Sequence, residues 1–149
     1  MNLQKINALK VSGISVRTTN VHEMDLSTSK ISYAWEKFNE DMYPLLSPVS
    51  KVYGLYTHYS SDFRGEFDVI ACASNIDPTG LEHSVTSEIK SGVYLVFKRK
   101  GHMPQVVSDL WQEVWRYFSS VDCTHTRAYT TDFEYYKSNN EVEIFIAIK

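Results

Sequence analysis

The segment SYAWEKF at residues 32–38 has a counterpart, SDLWQEV, at residues 108–114. The Ser and the Trp of the two segments align, and an apolar residue precedes each Trp. Upstream, Ser12-Gly13-Ile14 is matched by Ser91-Gly92-Val93, so two matches occur in one order, at separations of 76 residues (35 to 111) and 79 residues (12 to 91). Ordered matches with nearly equal separations predict a duplicated module.

The residues around the first Trp predict a strand, a helix and two strands. Hydroxyl-bearing residues at 27–29 offer caps for a helix whose apolar positions repeat at helical spacing until Pro44. Two β-rich runs then flank a polar stretch that contains Gly65, as strands flank a hairpin loop. The expected elements are a strand at Leu9–Thr19, a helix at Ile31–Met42, and strands at Lys51–Tyr59 and Glu66–Ser74.

The same order of elements returns around the second Trp. Residues 75–87 contain Asp77-Pro78-Thr79-Gly80 and little hydrophobic periodicity, which indicates a surface connection. Pro104 suits the beginning of a helix, where its missing amide costs little. The expected elements are a strand at Ile89–Lys100, a helix from Pro104 to Phe118, and strands at Thr126–Tyr136 and Glu141–Lys149.

These elements predict an α+β fold made of two strand-helix-strand-strand modules. Side by side, the modules give an antiparallel sheet with both helices on one face and a groove along a pseudo-twofold axis. The length of 149 residues fits a single domain, 1–149, with halves at about 9–75 and 88–149. Small ligands commonly bind in concave sites of this kind.

The composition and charge of the chain disfavour several classes of function. The net charge is −3, which offers no electrostatic footprint for a nucleic acid, so we expect no direct nucleic-acid binding by this chain. No apolar run is as long as the hydrophobic core of a signal peptide or as a membrane-spanning segment, so we expect a soluble, cytoplasmic protein with no membrane association. Cys72 and Cys123 have no metal-ligand spacing and should be free thiols. We expect no metal, no cofactor and no catalytic residue, since no enzyme motif occurs.

The predicted strands at the C-terminus place acids next to aromatic rings. Alternation puts Glu134 and Tyr136 on one face of their strand, while Glu143 and Phe145 share a face of the next. If the two strands pair as a hairpin, the four side chains can form one cluster, although a solvated strand residue is the alternative for each Glu. Aromatic faces attract a cation that a carboxylate neutralises, so the implied ligand is cationic, planar and apolar.

Further aromatic residues are candidates for the walls of the groove. Trp35, Trp111 and Trp115 lie at the edges of the apolar stripes of the two helices, where either a core or a groove position is open to them. The spacing of three between Tyr53, Tyr56 and Tyr59 does not let all of them face the groove, and of these we favour Tyr56.

Five segments have a distinctive order and spacing; they are VYGLYTHYSSD (52–62), SGVYLVF (91–97), WQEVW (111–115), TDFEYY (131–136) and VEIFIAI (142–148). By these segments the chain, over residues 9–149, resembles the GyrI-like effector-binding domains of AraC-type and MerR-type multidrug regulators, and more narrowly the standalone integron gene-cassette effector-binding proteins. The resemblance implies an aromatic cavity, with an acid at its base, that binds lipophilic cationic drugs and dyes. By this resemblance Glu134 is the buried acid, Tyr136 a wall residue and Glu143 a second acid.

The resemblance also implies partners and alternatives. Regulators of the family carry a helix-turn-helix domain, and no such segment precedes Leu9, so regulation would need a separate DNA-binding protein. The chain could instead act as a ligand-binding module by itself, and a homodimer through exposed sheet edges is an option. Relatives described as hydrolases of small molecules, or as inhibitors of DNA gyrase, leave two alternatives: a hydrolase using the same pocket, or a module that interacts with gyrase or another protein.

Overall fold

The computed structural model describes all 149 residues as eight strands and three α-helices. The first half contains β1 (Asn2–Ile6), β2 (Leu9–Thr18), α1 (Asn20–Glu23), α2 (Ile31–Asp41), β3 (Val52–Thr57), β4 (Phe67–Ala73) and β5 (Val85–Ile89). The second half contains β6 (Gly92–Lys100), α3 (Gln105–Ser119), β7 (Arg127–Ser138) and β8 (Glu141–Ile148).

All strands join one antiparallel sheet in the order β1-β6-β8-β7-β3-β4-β2-β5. The order is symmetric about the central pair, β7 and β3. On each side the hairpin partner comes next (β8 or β4), then the strand that precedes the long helix (β6 or β2), and last a short edge strand (β1 or β5). The edge strand β1 comes from the first half of the chain and pairs with β6 of the second half. This arrangement confirms the predicted fold class: an α+β protein of two strand-helix-strand-strand modules with a pseudo-twofold axis between β3 and β7.

Both long helices pack on one face of the sheet, as expected. Helix α2 buries Ala34 and Phe38 against β2 and β4, while α3 buries Leu110 and Val114 against β6 and β8. The central strands β3 and β7 lie between these two contact regions, so no helix packs directly over them. The floor of the predicted groove is therefore the middle of the sheet.

The opposite face of the sheet has its own core. Phe133 stacks on Phe145 with ring centroids 4.4 Å apart, and Tyr94 packs edge-on against both rings. The sheet curls around this core, and the backbone N–H of Lys90 donates to the hydroxyl of Thr131 at 3.1 Å. Burial on both faces explains why β4 and the second half of β8 read as nearly continuous apolar runs.

Three short elements were not expected from the sequence. The pattern left β1 without a structure, placed most of β5 in a surface connection, and joined Ile89 to the following strand, whereas the structure separates β5 from β6 by two residues. Both strands lie at sheet edges and are largely exposed, so their sequences need no alternation of apolar residues. Helix α1 has only four residues and buries none of them.

The beginning of α2 also differs from the expectation. The hydroxyl groups at 27–29 do not cap the helix; the carboxylate of Glu23 accepts from the backbone N–H groups of Lys30 at 2.9 Å and Ile31 at 3.2 Å. An acid reaching back from α1 suits the positive end of the helix. None of the helices combines the length and the apolarity needed to cross a lipid bilayer, and both cysteines are free thiols.

Candidate functional site

A groove of about 1220 Å³ lies over β3 and β7, between α2 and α3. Its floor comes from the two central strands and its walls from the facing sides of the helices. Aromatic side chains dominate the lining; they are Trp35, Phe38, Tyr43, Tyr56, Tyr59, Phe63, Phe67, Trp111, Trp115 and Tyr136. The groove is thus large enough for a drug-sized molecule and suited to flat apolar surfaces.

Glu134 lies on the floor of this groove and is 3% exposed. Its Oε2 accepts from the hydroxyl of Tyr56 at 2.8 Å and from the indole Nε1 of Trp111 at 2.6 Å. Its Oε1 accepts from the hydroxyl of Tyr136 at 2.7 Å. Two strands and one helix from both halves of the chain therefore converge on a single carboxylate.

Burial raises the pKa of the Glu134 carboxyl above its ordinary value, because the charged form loses its hydration. The hydrogen bonds from Trp111, Tyr136 and Tyr56 oppose this shift, since all of them favour the carboxylate. The phenol pKa values of Tyr56 and Tyr136 are raised well above their usual range, first by burial and then by the neighbouring Glu134 charge. These tyrosines therefore act as neutral donors.

The surroundings of Glu134 repeat the internal symmetry of the fold. Tyr56 and Tyr136 are 80 positions apart in the sequence, as are Gly54 and Glu134. Each tyrosine packs against the tryptophan of the other half: Tyr56 lies 5.0 Å from Trp111, and Tyr136 lies 5.1 Å from Trp35, between ring centroids. The Tyr and Trp pairs form a cage around the axis, and the acid stands on one side of it.

Gly54 lies directly opposite Glu134 in the pairing of β3 with β7. A Cβ atom at position 54 would overlap Oε1 of Glu134 and lie 3.3 Å from the ring of Trp35. Any side chain at this position would occupy the space that the carboxylate fills. The glycine is therefore the structural partner of the acid, and sequence patterns alone gave no sign of it.

The structure settles where the helix tryptophans point. Trp111 is nearly buried and bonds to Glu134, while Trp35 contacts Tyr136 and Phe38 in the wall of the groove. Trp115 lies at the edge, 44% exposed and 6.1 Å from the Trp111 ring. All three line the groove, together with Tyr56 and Tyr136.

The expected clustering of Glu143 and Phe145 with Glu134 is wrong. In the register of the β7 and β8 hairpin, Glu134 pairs with Ile144, so Glu143 and Phe145 lie on the opposite face of the sheet. There Phe145 belongs to the second core, and Glu143 lies within 4 Å of the ammonium groups of Lys98 and Lys137. Neither residue lines the groove.

Tyr59 is a groove residue that the alternation did not single out. His58 has a positive φ of 52°, which breaks the alternation of β3 and turns Tyr59 back to the side of Tyr56. The Tyr59 hydroxyl donates to Oδ2 of the buried Asp132 at 2.6 Å, and the same oxygen accepts from Arg127 at 2.7 Å. The buried ion pair forms a second polar cluster beside the groove, and the sequence analysis had not identified it.

Comparison with known proteins assigns the chain to a family. Residues 2–148 match the model of the family described as Cass2, integron-associated effector binding protein. The crystal structure of integron cassette protein VCH_CASS2 from Vibrio cholerae is 55% identical, with a TM-score of 0.94 over 99% of this chain and 95% of that one.

Two more distant relatives share the whole length. YobU of Bacillus subtilis (strain 168), whose name proposes a transcriptional regulator, is 27% identical over 160 residues, 99% of this chain and 97% of its own. The structure of SAV2435 bound to tetraphenylphosphonium has a TM-score of 0.74 at 18% identity, over 99% of this chain and 93% of that one, and so shares the fold. The match along residues 2–148 shows that this chain belongs to the integron-associated effector binding protein family.

Proposed function

We propose that this chain binds lipophilic aromatic cations in the groove, with Glu134 as the counter-ion. The observation that carries the proposal is a buried carboxylate whose hydrogen-bond partners, Tyr56, Trp111 and Tyr136, are all neutral. A buried acid ordinarily has a basic partner. Here that partner is missing from the chain, and a cationic ligand would supply it.

The walls of the groove suit the apolar part of such a ligand. Rings from both halves surround Glu134, and they offer faces and edges at several angles rather than hydrogen-bonding groups. Aromatic faces attract cations and tolerate varied flat shapes, which favours recognition by charge and area. The binding of tetraphenylphosphonium by SAV2435, which shares the fold, supports this class of ligand.

We further propose that ligand binding is linked to transcription regulation or to a response to drugs, without turnover of the ligand. The family is one of effector-binding proteins, and the name of YobU points the same way. For transcription regulation we propose a separate DNA-binding protein as the partner.

A pair of ligands with one shape and different charge tests the counter-ion. We expect N-methylacridinium to bind with a micromolar dissociation constant and neutral acridine, at mildly alkaline pH, at least tenfold more weakly. Titration followed by ligand fluorescence and by tryptophan emission measures both, because Trp111 and Trp115 line the groove. Equal affinity for the two ligands would contradict a role for charge.

Affinity for a permanent cation should fall in acid. The raised pKa of Glu134 means that the empty groove becomes neutral at a higher pH than an exposed glutamate would, so N-methylacridinium binding should weaken as pH falls from about 7 to about 4. A bound cation lowers this pKa again, so binding should release protons in that range. Isothermal titration in buffers of different ionisation enthalpy measures the release; a pH-independent affinity would contradict the proposal.

Two neighbouring tyrosines provide the matched control for this pH dependence. Tyr136→Phe removes a donor to the carboxylate and should move the midpoint of binding to higher pH. Tyr135→Phe, on the opposite face of β7, should leave the midpoint unchanged.

The raised Glu134 pKa also predicts how the stability of the ligand-free protein depends on pH. Because ionisation of Glu134 is costlier in the folded than in the unfolded state, stability should fall as pH rises from the ordinary glutamate pKa through the raised pKa of the folded state.

A further inference from the structure

Arg127, the first residue of β7, lines the same groove and is 9% exposed in its side chain. Its Nη2 donates to Oδ2 of Asp132 at 2.7 Å. Asp132 is fully buried and well supplied with donors, since it also accepts from the Tyr59 hydroxyl at 2.6 Å and from the backbone N–H of Ala147 at 2.9 Å. The acid of this ion pair therefore has its partners within the protein.

The guanidinium of Arg127, in contrast, lacks a full set of hydrogen-bond partners within the protein. Its Nε is buried and has no hydrogen-bond partner, and Asp132 is the one hydrogen-bond acceptor that the side chain reaches. The ring of Tyr129 lies 4.5 Å from the guanidinium carbon and holds the planar group in place. An unpaired buried donor costs free energy, and such a group beside a ligand groove points to an acceptor that arrives from outside.

We propose that the Arg127 end of the groove is a second subsite, which binds an anionic oxygen group of the ligand, preferably a carboxylate. The same ligand would place its cationic aromatic body beside Glu134. The inference rests on the proposed function and narrows it: the preferred ligands are zwitterionic aromatic molecules. The guanidinium suits this role because its planar N–H groups match carboxylate oxygens.

The spacing of the two subsites fits one ligand. Asp132, which fixes Arg127, and Glu134 are two residues apart on β7, about 7 Å along the strand. Tyr56 and Tyr59 both pack against Phe67, at 5.8 Å and 5.6 Å between ring centroids, and so join the subsites by a continuous aromatic wall. A ligand that reaches both subsites would carry its two charges on a short rigid aromatic spacer, such as one phenyl ring.

The test uses tetraphenylphosphonium and (4-carboxyphenyl)triphenylphosphonium, which share a body and differ by one carboxylate. We measure both dissociation constants for the wild-type chain and for the double variant Arg127→Met/Asp132→Asn, which removes the ion pair without leaving a buried charge alone. The preference for the carboxylate-bearing ligand over its parent should fall at least tenfold in the variant. Arg99→Met/Glu113→Gln, which removes an exposed ion pair outside the groove, should not change it.

Arg127→Lys provides a second route if the double variant does not fold. It keeps the charge beside Asp132 and removes the planar donors, so the same preference should fall severalfold. An unchanged preference in either variant, with the parent ion still bound, overturns the subsite and leaves the proposed function in place. If neither phosphonium binds the wild-type chain, the proposed function and the subsite are both wrong.

Discussion

Glu134→Gln should lose affinity for N-methylacridinium by about a hundredfold and keep its affinity for acridine within about twofold. Glutamine has nearly the same shape, and its amide oxygen can still accept from the Trp111 indole and the Tyr56 hydroxyl. The Tyr136 hydroxyl can rotate to accept from the amide NH2. The substitution therefore removes the charge and preserves the cage. Fluorescence titration of both ligands measures the change.

Glu143→Gln is the matched control for this substitution. It neutralises a carboxylate of the same sheet on the face that does not line the groove, beside Lys98 and Lys137. Both affinities should stay at the wild-type level. An equal loss of acridine and N-methylacridinium in Glu134→Gln would show that the side chain shapes the cage and does not act as a counter-ion.

Gly54→Ala should reduce the affinity for N-methylacridinium at least tenfold and destabilise the fold by about 1–3 kcal/mol. The new methyl group would take the place of Oε1 of Glu134, so the carboxylate must move and give up its bond from Tyr136. Displaced toward the opening of the groove, the acid would lose its fixed place in the cage. Denaturant unfolding and the same titration measure the two effects.

The cost of this methyl group should depend on Glu134. In a Glu134→Ala background the carboxylate is absent, and Gly54→Ala should then cost less than half as much stability. The comparison forms a double-mutant cycle on unfolding free energies. A cost that is the same in both backgrounds would show that the strain comes from Trp35, 3.3 Å from the added atom, and not from the acid.

Repetition and alternation in the sequence predicted the fold because they describe buried elements. The two matched segments correspond to the faces of α2 and α3, where apolar side chains must recur at helical spacing to cover a sheet. The edge strands β1 and β5 were missed for the complementary reason. An exposed edge strand is held by backbone hydrogen bonds to β6 or β2, and these leave no apolar pattern.

Half of the site followed from the sequence in the same way. Alternation along β7 placed Glu134 and Tyr136 on one face, and the structure brings them together with Tyr56 and the helix tryptophans. The register of the β7 and β8 hairpin could not be read, because residues 144–147 of β8 are apolar on both faces and a shift of one residue exchanges the faces. That ambiguity produced the wrong position for Glu143 and Phe145.

Local sequence patterns did not predict the polar cluster around Arg127. Tyr59 enters the groove because His58 has a positive φ, and a bulge in β7 separates Arg127 from Asp132. Irregular backbone of this kind redirects side chains without a fixed sequence signature. The residues that complete the site therefore depend on long-range pairing that only the folded chain supplies.

The pairing of Gly54 with Glu134 shows what a fused repeat can do that two identical subunits cannot. Two copies of one chain, related by an exact twofold axis, would place the same residue on both sides of it. An acid there would face its own copy across neighbouring strands, and like charges so close would share a proton. Because both halves lie in one chain, one copy of this position is an acid while the other is a glycine, and the cage holds a single carboxylate.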